Sequence, residues 1–255
     1  MVLHAVGIGK RYRYGVRGCG GVVRALAHAS VQVARSELVG VCGPRGSGKS
    51  TLLLCCAGLL RPDAGYIAWP SRHPRRHGPP DDVALVHQEP RFARYLTVRE
   101  VLDRYVYRRE WPRDVPDSDR LVKTALGLAR CDRTEVGDLS AGAVWRLALL
   151  VALLGRPRLL IADGVDGDAT ANHAPTTLRL IRLLCDGGTS ALVSARDGAI
   201  LHPYADRVLT LEHGHVTAGS RDPEWPVVRL GVSSGHERVP PVQHADAPQG
   251  VVHAH

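Results

Sequence analysis

Short, almost wholly apolar runs alternate along this chain with longer stretches in which apolar residues recur every three or four positions. The first kind reads as buried strand and the second as amphipathic helix. Residues 38–42 (Leu-Val-Gly-Val-Cys) form one such strand, entered from a turn at Arg35-Ser36-Glu37 and left through a glycine-rich loop into a helix at 49–60. Further strands are expected at 83–87, 158–162, 190–194 and 208–212, the last turned by His213-Gly214. Thr97 and Glu100 make a capping box that opens a helix running to about Arg108. Pro112 and Pro116 separate it from a second helix near 119–129, and 139–154 and 176–185 read as two more. Residues 2–14 alternate poorly but hold strand-like pieces, 30–33 reads as a strand, and 65–69 as an edge strand.

Strands alternating with helices predict an α/β fold: a mostly parallel central sheet covered on both faces. From about 92 to 137 there are helices without strands, which marks an insertion. Residues 72–82 form a basic loop rich in Pro and Gly. From 232 to 255 the chain is rich in Pro, His, Gly and Ala and reads as a disordered tail. Its histidines at 236, 244, 253 and 255 show no site-like spacing.

Composition narrows the classes. At 255 residues, 44% hydrophobic and 23% charged, the chain is an ordinary globular protein, long enough for one well-buried α/β domain. The apolar run at 147–154 stops at Gly155 and Arg156, far short of the roughly 18 residues of a membrane span. Lys10, Arg11, Arg13, Arg17 and Arg24 stand near the start without a hydrophobic core, so no signal peptide is read there. A cytoplasmic chain is expected, able to dock on a membrane partner. The net charge of +8 is spread over scattered arginines, and 5% aromatic residues offer few stacking platforms, so no specific nucleic-acid partner is expected. The six cysteines form no CxxC pair and read as small buried thiols.

The loop Gly43-Pro44-Arg45-Gly46-Ser47-Gly48-Lys49-Ser50-Thr51 fits GxxxxGKS completely. Its glycines let backbone N–H groups surround phosphate oxygens, Lys49 adds a point charge near the outer phosphates, and Ser50 supplies a magnesium ligand. The helix that follows aims its positive end at the same place. This pattern predicts ATP or GTP with magnesium, and by itself does not separate a transporter ATPase from a GTPase, kinase or motor. Asp163, closing an apolar run at 158–162, is placed to hold magnesium through water beside Ser50. Gln88, at another strand end, is neutral and suits water or metal contacts.

Further motifs follow in order: Val86-His87-Gln88-Glu89-Pro90, Leu96-Thr97-Val98-Arg99-Glu100, Leu139-Ser140-Ala141-Gly142-Ala143, Arg158-Leu159-Leu160-Ile161-Ala162-Asp163, and the closing pieces at 205–209 and 211–216. With the glycine loop they make residues 7–216 resemble the ATP-binding cassette (ABC) family, the nucleotide-hydrolysing subunits that drive membrane transporters. The resemblance implies a P-loop fold of the ABC ATPase type over residues 1–231, with N-terminal antiparallel strands and an inserted helical subdomain at about 92–157. It implies ATP and Mg2+ as ligands, with Gln88 contacting magnesium and the attacking water. Ser50 and Asp163 are the other metal residues. Tyr12, with Tyr14 as the weaker choice, falls where an aromatic stacks on adenine. Ser140 and Gly142 stand in the signature that faces the nucleotide of a second subunit.

Departures from the family pattern carry as much meaning. The glutamate that follows the Walker B aspartate is replaced by Gly164, which has no group to accept a proton or orient water. Asp166 and Asp168 are displaced by two residues or more, which makes either a poor geometric substitute. Gly167-Asp168-Ala169-Thr170 keeps little of the D-loop. Counting back from Ala205 by the family's spacing puts Arg196 at the switch histidine, where it keeps a donor for the γ-phosphate but not the chemistry of neutral imidazole. The expectation is an ATP-binding subunit that hydrolyses slowly or only with a partner. It would work with a separately encoded transmembrane permease on the inner face of the cell membrane, and with a second ATP-binding subunit. A heterodimer is favoured over a homodimer. An inactive ATP-binding regulatory partner and a soluble ATPase acting on nucleic acid or ribosomes are the alternatives.

Overall fold

The computed structural model describes residues 1–16, 19–69, 81–108, 117–167 and 173–217. The chain divides into two compact units, Met1–Asp222 and Pro223–His255, and all described residues belong to the first. The sequence readings on residues 72–80, Pro112, Pro116, Asp168, Ala169, Thr170 and the 232–255 tail lie outside the described residues.

A six-stranded sheet forms the centre. Its strands are β3 (Leu38–Cys42), β5 (Val83–Val86), β6 (Leu159–Ala162), β7 (Ser190–Ser194), β8 (Arg207–Glu212) and β9 (His215–Thr217), in the order β5-β6-β7-β3-β8-β9. The first five run parallel and β9 returns antiparallel. Every residue of β3, β6 and β7 is buried, as a sheet covered on both faces requires. Alternate residues feed two different cores. Val39, Val41, Leu159, Ile161 and Leu192 face one cluster with Leu52 and Leu53 of α1 (Lys49–Cys56). Leu38, Leu160, Ala162, Ala191 and Val193 face the other. There they meet Leu147 and Leu150 of α4 (Ala141–Leu154) and Leu178 and Ile181 of α5 (His173–Asp186). Burial of each such Val, Leu or Ile side chain contributes roughly 1.5–3 kcal/mol, so the sheet is held from both sides.

The second sheet is antiparallel and three-stranded, in the order β2-β1-β4, built from β1 (Leu3–Val16), β2 (Cys19–Val33) and β4 (Ala64–Ala68). β1 and β2 form one long hairpin instead of the short pieces expected from the sequence. Register shifts between Ala5 and Ile8, Ile8 and Gly9, and Lys10 and Arg11 explain the difference. Each bulge resets which face a side chain takes, so the apolar alternation breaks although the strand continues. β4 lies at the sheet edge, as expected.

α2 (Val98–Arg108) and α3 (Asp117–Ala125) fill the insertion. The capping box is formed: Thr97 N–H donates to Glu100 Oε2 at 2.8 Å and Glu100 N–H donates to Thr97 Oγ1 at 3.3 Å. The Thr97 hydroxyl also donates to Glu100 Oε2 at 2.9 Å, and the two bonds to the carboxylate, from the Thr97 backbone and hydroxyl, hold it below the ordinary carboxylate value. α1 ends before 60 because the chain turns at Gly58, whose N–H bonds Cys55 O at 2.8 Å. The stretch expected to be helical from 139 begins its α-helix at Ala141. Ser140 is the N-cap, its Oγ accepting from Ala143 N–H at 3.2 Å. A 3-10 turn at Val136–Asp138 precedes it.

Candidate functional site

The phosphate loop leaves the C-terminal end of β3, the edge at which ligands approach an open α/β sheet. Two of its glycines are demanded by close backbone approach. A Cβ on Gly43 would stand 2.2 Å from Leu211 O, and one on Gly48 2.3 Å from Ala25 O. Ser47 is buried inside the loop, while Pro44, Arg45 and Gly46 form its exposed rim. Gly48 is the N-cap of α1, and no acidic residue occupies the first turn, so no side chain of the helix itself offsets its positive end. Lys49 Nζ donates to Gly43 O at 2.6 Å, Pro44 O at 2.9 Å and Ser47 Oγ at 3.4 Å, which keeps the ammonium at the loop. Burial lowers the Lys49 pKa from its ordinary 10.5, opposed by the charges of Asp163 and Asp166 and reinforced by that of Arg196. A phosphate chain suits this cradle: an open rim, a cation at its centre and a helix start with no acidic residue in its first turn.

Ser50 follows on α1, and its Oγ donates to Gln88 Oε1 at 3.5 Å. Asp163, at the end of β6, is 3% exposed. Its Oδ1 accepts the Ser194 hydroxyl at 2.5 Å, and its carbonyl accepts Trp145 Nε1–H of α4 at 2.9 Å. Ser194 Oγ also accepts Gly164 N–H at 2.8 Å. Ser194 was absent from the sequence-based site; its signal was a hydroxyl closing an otherwise apolar strand that runs beside the strand of Asp163. Arg196 lies just past β7, with its carbonyl accepting Gly43 N–H at 3.4 Å. The loop, Ser50, Gln88, Asp163 and Arg196 are therefore drawn together at one edge of the sheet.

The remaining expected residues lie around this centre. Thr51 Oγ1 is 3.4 Å from the Tyr12 hydroxyl, which brings Tyr12, 40% exposed, to the loop's flank. Tyr14 is more exposed and lies over Gly21. Gly142 lines a cavity of about 270 Å³ together with Gln88, Arg146, His173 and Arg196. Ser140 caps α4 through its oxygen, which leaves its proton available to donate. Gly164 has φ +70°, and its Cα faces Gln88.

Such an arrangement defines a nucleotide-binding P-loop protein. The family model described as ABC transporter matches residues 26–165. The hemin import ATP-binding protein of Nocardia farcinica is 33% identical over 213 residues, covering 79% of this chain and 72% of the relative. The ribose import ATP-binding protein of Pseudomonas putida is 30% identical over 208 residues, covering 78% of this chain, which spans only 40% of that protein's length. A dimeric ATP-binding cassette solved in a post-hydrolysis state with ADP and Pi shares the fold at a TM-score of 0.70 and 20% identity, covering 86% of this chain and 98% of that one. The chain belongs to the ABC transporter family, as an ATP-binding cassette subunit of the ABC ATPase type.

Proposed function

We propose that this chain binds ATP with magnesium, hydrolyses it slowly or only beside a partner, and transmits ATP-driven closure to a separate transmembrane permease. The observation that carries the reading is the contrast between a complete phosphate cradle and position 164, where glycine offers no carboxylate. The loop N–H groups, Lys49 and the start of α1 would hold the phosphates; Ser50 and Asp163 would hold the metal, with Gln88 beside them. Magnesium, when bound, neutralises charge on the outer phosphates. Ser194 fixes the Asp163 carboxylate, and Arg196 supplies a donor near Lys49 that cannot act as a neutral base. Tyr12 flanks the adenine position, while Ser140 and Gly142 face the nucleotide of a second subunit, favoured as a different chain that supplies catalytic residues to the second site.

A groove of about 390 Å³ beside the Gln88 segment supports docking to the permease. Phe92, Tyr105, Ala148 and Val151 lend it apolar walls. Among the described residues no helix is long and apolar enough to cross a membrane, so the proposed place is peripheral, on the inner face of the cell membrane. Titration with a fluorescent ATP analogue and a steady-state phosphate-release assay on the purified chain test the reading. Tight magnesium-dependent binding with turnover well under roughly 1 per second is expected. Turnover at or above that rate, abolished by Lys49→Ala, refutes the slow-ATPase claim. The bare position 164 also favours a second reading, an ATP-sensing regulatory subunit. Absence of turnover in the complex pulled down from membranes selects it.

A further inference from the structure

The two carboxylates after Gly164 were set aside in sequence terms for their displacement along the chain. For Asp166 the backbone removes that displacement. Gly164 turns with φ +70° and Gly167 N–H closes on Gly164 O at 2.9 Å, so the chain folds back on itself. Val165 N–H bonds Ser194 O at 3.0 Å, which presses this turn against the end of β7. The Asp166 side chain is thereby returned to the phosphate edge, where it is 10% exposed. Its Oδ2 accepts the backbone N–H of Arg196 at 2.8 Å, and the Arg196 Nε stands further off at 3.7 Å. The Arg196 side chain is 54% exposed. Both charges act on Lys49, which places them within electrostatic reach of the loop.

The two contacts differ in strength. An N–H···O⁻ bond of 2.8 Å is a full charge-assisted hydrogen bond, whereas 3.7 Å is a loose ion pair at an exposed guanidinium. Asp166 thus grips the main chain of residue 196 and holds the exposed side chain only loosely. Arg196 O in turn touches Gly43 N–H, so the position of residue 196 is set against the loop on one side and against Asp166 on the other. From this we infer that Asp166 is a positioning residue: it holds Arg196 so that the guanidinium reads the terminal phosphate and distinguishes a nucleoside triphosphate from a diphosphate. The inference rests on the proposed reading of the site as an ATP cradle.

The test is the ratio of ADP to ATP dissociation constants, measured with magnesium on the full chain, alongside thermal melting. Arg196→Ala and Asp166→Ala are each expected to reduce the preference for ATP about tenfold, the scale of one charged hydrogen bond, with ADP affinity held. The double variant loses no more than either single one, because both remove the same contact. Asp166→Asn keeps an oxygen for the Arg196 N–H and retains the preference. A ratio within twofold of the parent in Asp166→Ala overturns the inference. Equal weakening of ATP and ADP does so too, since that is what a merely structural role produces, and so does Asp166→Asn behaving like Asp166→Ala. If Asp166→Ala does not fold, Arg196→Ala decides through its exposed side chain: an unchanged ratio there also overturns it. Failure of the parent chain to bind either nucleotide instead removes the ATP reading itself.

Discussion

Restoring a glutamate at position 164 is the obvious way to seek faster hydrolysis, and the backbone argues that it will fail. Gly164 has φ +70°, a region that costs an L-residue about 1–2 kcal/mol. A Cβ there would stand 3.0 Å from Gln88 Cγ and 3.6 Å from its Cβ and Cδ, so the glutamine has to give way. Moving Gln88 also disturbs its contact with Ser50. Gly164→Glu is therefore expected to lower the melting temperature by roughly 2–8 °C, taking 2–4 °C per kcal/mol for a domain of this size. Phosphate release is expected to stay near the parent rate. Gly164→Ala separates the strain from the carboxylate and should melt similarly, whereas Gly164→Asn, a residue that tolerates this conformation, should lose less. Differential scanning calorimetry and phosphate release on the same samples measure both quantities. A Gly164→Glu variant that turns over at roughly 1 per second with an unchanged melting temperature would refute the reasoning: the backbone would then not be what disables the position.

Ser194→Ala removes a donor to the buried Asp163 carboxylate and an acceptor for Gly164 N–H. A loss of about 1–3 kcal/mol in urea unfolding is expected, and a variant as stable as the parent would show that the pair is not needed. The lowered pKa of Lys49 sets a pH dependence, because the unfolded chain holds this proton to a higher pH than the fold does. The burial penalty is full below the lowered value and is relieved as pH rises from it towards 10.5, so this term stabilises the nucleotide-free fold over that window. ATP affinity runs the opposite way, falling as Lys49 loses its charge, with a midpoint below 10.5 that Lys49→Arg abolishes. Burial raises the Cys55 thiol to about 11 and Cys185 to about 12, and pushes Cys56 up as well. Among Cys42, Cys55, Cys56, Cys131 and Cys185, partly exposed Cys131 should react first with a thiol reagent at pH 8, as peptide mapping would report. Cys55, Cys56 and Cys185 should wait for unfolding.

The strands and helices of the central layer were legible because their signals are local. β3, β6 and the middle of β7 read as apolar runs since both faces of each are covered, and the capping box announced α2 from Thr97 and Glu100 alone. The N-terminal hairpin was read only in fragments, because its bulges depend on a partner strand that the alternation of β1 does not contain. Ser194 was missed and Asp166 set aside for a related reason. Each acts across strands or a turn, on residues about thirty positions away in the sequence, which no local pattern announces.

By itself, then, the order of residues determined the class of chemistry: a strand, the Gly43–Thr51 loop and a helix are contiguous, and their geometry follows from glycine freedom and helix polarity. It also determined that position 164 carries no side chain. Only the tertiary structure decided what surrounds that gap. Parallel pairing of β6 with β7 sets Ser194 against Asp163, and the turn at Gly164 brings Asp166 back to Arg196. Contacts of this kind are fixed by the packing of whole strands, whose energy is shared among many buried side chains and is written in no single stretch of the chain.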